Sequence, residues 1–151
     1  MIEVRIISHS DIKTEWLENF KAYASIADNG RDAMLLMILK NAVLKIQEMA
    51  DESILDCTIE VVDNAPESAE IRLYQSVDAV VRVTDGNGNI LAYKQNERQL
   101  HLAQKVDLVK CEYTTKTNPA MVDALLLTAY QYATFVYDGD YESAAKVLRN
   151  V

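Results

Sequence analysis

The sequence predicts an α+β fold: a mainly α-helical bundle with a small antiparallel β-sheet inserted between the second and third long helices. Three observations predict it. Apolar residues recur at helical spacing up to about residue 53, at a spacing of two from about 57 to 115, and at helical spacing again from 119 onward. The chain of 151 residues is half hydrophobic and a quarter charged, with only four Gly and two Pro, a composition that packs a core rather than staying disordered. No repeat or low-complexity linker divides it, so residues 1–151 are expected to form a single domain.

The first helix, about 11–27, comes from SDIKTEWLENFKAYASIA, where Ser10 or Asp11 would cap and Ile12, Trp16, Phe20 and Tyr23 share a face. DNGRD (28–32) interrupts it. The second helix, about 32–53, carries the strongest signal: Leu35, Ile38, Leu39, Ala42, Ile46 and Met49 form one stripe, and Met34, Met37 and Leu44 widen it. A face that broad implies partners on more than one side. In the β-insert, about 57–115, CTIEVVD (57–63), SVDAVVRVT (76–84), NILAYKQ (89–95) and LVKCEYTT (108–115) read as strands, and NAPESAE (64–70) as a loop. Asn118–Pro119 opens the third helix, about 119–137, with Met121, Leu125, Ala129, Tyr132 and Val136 in line. DGD (138–140) breaks it, Asp140 caps, and a short fourth helix, about 140–150, follows with Tyr141, Ala144, Ala145 and Leu148 on one face.

The stretch VTDGNGNIL (83–91) places Asp85, Asn87 and Asn89 at alternate positions, as at the start of an EF-hand loop. That reading fails, because the sixth position is Ile90 rather than Gly and the twelfth is Asn96 rather than Glu. Gly and Asn at these places suit a hairpin turn instead. His9 and His101 have no motif partner nearby, and no phosphate-binding loop, nucleophile elbow or metal-ligand spacing occurs. Catalysis and cofactors are therefore not expected. Cys57 and Cys111 form no close-spaced pair and read as free thiols. The net charge of −8 opposes gripping nucleic acid or anionic lipid, although DNA could pass close by. MIEVRIISHSD lacks a signal-peptide core, and no run is long enough to span a bilayer. Eight Tyr, four of them in YQYATFVYDGDY (130–141), suggest core packing combined with a protein-contact surface.

Taken in order, these segments resemble the head–tail connector (adaptor) family of tailed bacteriophages, also described as DNA-packaging or head-completion proteins. The resemblance rests on the acidic helix DIKTEWLENF, the long apolar helix in DNGRDAMLLMILKNAVLKIQEMADESI, and the hairpin SVDAVVRVTDGNGNIL. It continues with the strand VKCEYTT and the closing helix PAMVDALLLTAYQYATFVYDGD. The chain lacks the family's Trp-Tyr-Glu helix ending and its Pro-rich stretch before the SV strand.

The resemblance implies a non-enzymatic virion protein at the neck, free in the host cytoplasm before assembly. It implies a ring, commonly of twelve subunits, that docks under the portal protein and extends the DNA channel toward the next neck, stopper or tail-completion protein. DNA would pass without specific binding. Tyr141, Leu148 and Val151 are the implied portal contacts. Gly86, Asn87, Gly88 and Asn89 form the implied neck-facing tip. Met34, Met37, Leu44 and Tyr130 are the candidate subunit interface, since a ring needs two different adhesive patches on each copy. Rival readings are a related neck or tail-completion protein, a host-encoded interaction module of the same fold class, and a small carboxylate-based enzyme dependent on a metal or metabolite. The enzyme reading requires Asp and Glu to gather with His9 or His101 in a pocket.

Overall fold

A computed structural model describes residues 1–151. The elements in order are β1 (Ile2–His9), α1 (Thr14–Tyr23), α2 (Asp32–Ala50), β2 (Cys57–Asn64), β3 (Glu70–Arg72), β4 (Val77–Asp85), β5 (Tyr93–Asn96), β6 (Gln99–Leu102), β7 (Leu108–Thr115), α3 (Val122–Tyr137) and α4 (Tyr141–Arg149). The chain divides into two compact units. One comprises Met1–Ser10 with Asp56–Lys116 and holds every strand; the other comprises Asp11–Leu55 with Thr117–Val151 and holds every helix.

This architecture corrects the expected fold class. Helix accounts for 36% of the chain and strand for 30%, in two antiparallel sheets, so the chain is mixed rather than a helical bundle with a small insert. The sheet is also not confined between helices. β1 precedes every helix and pairs antiparallel with β2, from Ile2 opposite Asp63 to His9 opposite Cys57. Its alternation of Ile2, Val4 and Ile6 with Glu3 and Arg5 is a strand signal at the head of the chain.

In the strand unit the larger sheet has the order β1-β2-β7-β4 and the smaller one β3-β6-β5. Along β2 and β7, Cys57, Ile59, Val61, Val109, Cys111, Tyr113 and Thr115 face inward and are buried, while their neighbours are more open. Tyr113 anchors the loop after β3: its hydroxyl accepts the Tyr74 N–H at 2.8 Å and donates to the Tyr74 carbonyl at 3.1 Å. Ile71, Leu73, Leu100 and Leu102 supply the buried side chains contributed by β3, β6 and the residue after β3.

The strand expected over 89–95 does not form. Ile90 makes a single bridge to Thr84, and Leu91 donates to the Val83 carbonyl at 3.0 Å. The chain then leaves the larger sheet, and Tyr93–Asn96 pairs with β6 in the smaller one.

In the helical unit, Trp16, Leu17 and Phe20 of α1, Leu35, Leu39, Val43 and Ile46 of α2, and Leu125, Leu126, Ala129 and Ala133 of α3 are buried. The start of α1 differs from expectation: neither Ser10 nor Asp11 caps it, and the helix begins at Thr14 after Lys13. Ser10 belongs to the strand unit, where its hydroxyl accepts the Asp56 N–H at 3.1 Å. Between α1 and α2, the buried Lys21 ammonium donates to Asp32 at 2.8 Å and also to Asn29. The Asp32 bond raises the lysine above its ordinary pKa. After α2, the fully buried Gln47 turns its Oε1 on the N–H groups of Ile54 and Leu55, at 3.2 and 3.1 Å. Asn118 Oδ1 accepts the Ala120 N–H at 3.1 Å, one turn ahead of α3 proper. Asp140 caps α4 by accepting the Ser143 N–H at 3.1 Å, a bond that lowers its pKa.

Candidate functional site

The turn after β4 is closed by a set of hydrogen bonds centred on Asp85. Asp85 Oδ1 accepts the N–H groups of Asn87 and Asn89, each at 2.9 Å, and Oδ2 accepts from the Asn89 side chain at 3.1 Å. The main chain closes the same loop, with Asp85 N–H donating to the Asn89 carbonyl at 2.9 Å. Asn89's backbone bond is the largest cause of a lowered Asp85 pKa, followed by its side chain. Gly88 sits at φ +83°, where a side chain would be strained. The oxygens of Asp85 thus serve the turn itself. Gly86, Asn87, Gly88 and Asn89 are all exposed.

Directly after this turn, Ile90 is 85% exposed. Sequence reasoning placed it inside a strand and missed it as a surface feature. The available signal was a lone large aliphatic side chain at the end of a Gly- and Asn-rich turn.

On α2, Met34 and Met37 lie on the outer face, with Met37 65% exposed, whereas Leu44 is half-buried. Tyr130 does not join them. It is 7% exposed, its ring stacks on Phe20 at 6.3 Å between centroids, and Tyr23 lies 6.4 Å away. Burial pushes the Tyr130 hydroxyl above its ordinary pKa. This tyrosine is core of its own chain, because the helix face that carries it also carries Leu126 and Ala133. On α4, Tyr141 is exposed, Leu148 half-buried, and Val151 exposed just beyond the helix.

The outer face of the larger sheet carries charge in register. Arg5, Glu60, Glu112 and Arg82 lie opposite one another across all four strands. Arg5 meets Glu60 at 3.1 Å and Arg82 meets Glu112 at 3.3 Å. With Thr84, Gly88 and Lys110, the glutamates and Arg82 line a shallow depression of about 310 Å³. Each carboxylate there is already paired with a guanidinium, which suits a solvated protein surface rather than proton transfer.

The histidines are apart from one another in environment. His9 Nδ1 lies 2.8 Å from the Ser10 carbonyl, and His101, half-buried on the central strand of the smaller sheet, lies 3.4 Å from Glu70. No three His, Cys, Asp or Glu side chains converge on a point that would hold a metal ion. Cys57 and Cys111 are both buried and form no disulfide, and burial pushes the Cys111 thiol up to about 12. No helix is long and apolar enough to cross a membrane.

No protein-family model and no curated protein matches the chain. Solved structures do match in fold. A chain from the neck of an empty gene transfer agent particle, computed with six-fold symmetry, superposes with a TM-score of 0.61 at 14% identity, covering 86% of this chain and 83% of that one. A chain from the native gene transfer agent virion gives 0.59 at 14% identity over 85% and 82%. One from the native neck, computed with twelve-fold symmetry, gives 0.55 at 14% identity over 83% and 82%.

Proposed function

We propose that this protein is a structural subunit of the neck that joins head and tail in a tailed phage, prophage or phage-like particle. The fold likeness carries the reading, since it spans most of both chains rather than one shared motif. The surface chemistry agrees with it. Large apolar side chains stand exposed at separate places, Met34 and Met37 on α2, Ile90 after the β4 turn, and Tyr141 on α4. A head-to-tail ring needs such separated patches, because each copy must present two different faces to its neighbours.

In this reading the whole chain acts as one neck module and assembles as a ring. Tyr141, Leu148 and Val151 face the portal protein, Gly86 to Asn89 face the next neck or tail-completion component, and Met34, Met37 and Leu44 lie between subunits. Tyr130 supports that interface from the core. The excess of carboxylates lets DNA slide through without being held. The subunit works in the virion and waits in the host cytoplasm before assembly.

Deletion of the gene from a particle-producing genome tests this. Electron microscopy is expected to show heads and tails accumulating unjoined, and complementation is expected to restore joined particles with ring density at the junction. Normal yields of joined particles without the protein would overturn the reading.

A further inference from the structure

β1 is an edge strand, and its open side is unusually well suited to a second copy of itself. Its register with β2 runs unbroken from Ile2 to Ile6 and shifts only between Ile6 and Ser8. Met1 and Asn64 exchange both backbone bonds, each at 2.9 Å. Antiparallel pairs alternate between bonded and non-bonded, so Glu3 and Arg5 spend their backbone groups on β2, while those of Ile2, Val4 and Ile6 point to the open edge.

The side chains divide in the same alternating way. Val4 and Ile6 lie opposite the fully buried Val61 and Ile59, yet Ile2 is 52% and Val4 46% exposed. Lys and Pro, two common protections of an open edge, are absent from its regular stretch, and its two charges, Glu3 and Arg5, are of opposite sign. The other edge of the sheet is different: β4 carries two register shifts, and residues 90 and 91 bond across part of it.

We infer that two copies of this chain associate through β1, antiparallel about a two-fold axis at Val4. The stretch Ile2-Glu3-Val4-Arg5-Ile6 is symmetric in its apolar positions and opposite in charge about Val4, so it complements itself when reversed. Val4 meets Val4, Ile2 meets Ile6, and each Glu3 lies opposite the other copy's Arg5. The bonding alternation supplies about six backbone hydrogen bonds, at Ile2, Val4 and Ile6. Glu3 and Arg5 fall in the non-bonded pairs, where cross-strand side chains come closest.

Glu3 makes no ion pair within its own chain, and Arg5 is bonded to Glu60 through a single nitrogen, leaving the rest of its fork free. Moving the axis by one residue sets Glu3 against Glu3 or Arg5 against Arg5. Only the axis at Val4 matches the outward backbone groups and opposite charges together. The product is a continuous open sheet of twice four strands whose two-fold interface is used up by one pair, so it is a form of the free chain, distinct from a head-to-tail ring.

Sedimentation velocity of the purified full chain across a wide concentration series tests this. A species of twice the 17.0 kDa chain mass is expected. Glu3→Arg and Arg5→Glu each replace two attractive cross-strand pairs with two repulsive ones and are expected to weaken the dimer about thirtyfold. An equal mixture of the two variants restores every opposite-charge pair and is expected to recover dimer, as a heterodimer. Val4→Pro removes only an outward N–H and is expected to give a folded monomer by circular dichroism. A wild type that stays monomeric, a free chain that forms only larger rings, single variants that dimerise like wild type, or a mixture that fails to recover dimer would each overturn the inference.

Discussion

Replacing Gln47 with methionine removes one hydrogen-bond acceptor from a site with no access to water. The Gln47 side chain is fully buried, and its Oε1 satisfies two backbone donors, Ile54 N–H at 3.2 Å and Leu55 N–H at 3.1 Å. Both donors belong to buried residues, so solvent cannot take over. Methionine matches glutamine closely in length and volume, which keeps any cavity contribution small. Each stranded donor costs about 1–3 kcal/mol, and the more apolar side chain returns roughly 1 kcal/mol. The expected net loss is about 1–5 kcal/mol, large against a domain stability on the order of 5–15 kcal/mol. Urea unfolding followed by tryptophan fluorescence measures it, because Trp16 is the only tryptophan and is buried in the same helical unit. A loss under about 1 kcal/mol would refute the claim that Gln47 holds this turn together.

Tyr113→Phe strands the N–H and carbonyl of Tyr74 and is expected to cost about 1–3 kcal/mol in the same assay; an unchanged urea midpoint would remove Tyr113 as the anchor of that loop. Asp85 has a folded pKa held below its unfolded value by bonds from Asn89 and Asn87, so its contribution is complete above the unfolded value and fades as pH falls through the folded one. Amide signals of Asn87 and Asn89 should therefore shift with a midpoint below the ordinary aspartate value of about 3.9; a midpoint at or above it contradicts the turn geometry. Cys111, pushed up to about 12 and buried beside Glu112, is expected to resist a thiol reagent at mildly alkaline pH until the chain unfolds, whereas rapid labelling of the native protein would show that the sheet opens readily.

The helical segments were legible because their apolar stripes are long: Leu35, Leu39, Ala42 and Ile46 repeat over several turns. Ends were harder, and α1 starts at Thr14 because Ser10 is drawn to Asp56, a partner far along the chain. β1 carried a readable alternation, yet its half-open side chains and embedded charges resemble an irregular leader. Its identity as a strand is settled by β2, about fifty residues later. Glu70–Arg72 and Gln99–Leu102 are too short to show a period at all. NILAYKQ reads as a strand, but which sheet it joins depends on β6, and local pattern holds no information on that. At the candidate surfaces, Gly86 to Asn89 were legible as a turn through their backbone chemistry. Tyr130 was not legible as core, since a tyrosine on a helix suits a rim and an interior equally well.

The division into two units, each assembled from separated stretches of chain, has a consequence for the order of events during synthesis. β1 leaves the ribosome well before β2, the strand it pairs with, and the helical unit stays incomplete until α3 and α4 have emerged. Both units are completed only by pairings between distant segments, a slow route, so β1 waits for β2 to be made. During that wait Ile2, Val4 and Ile6 stand unpaired on both sides, and the nascent chain is at its most adhesive there.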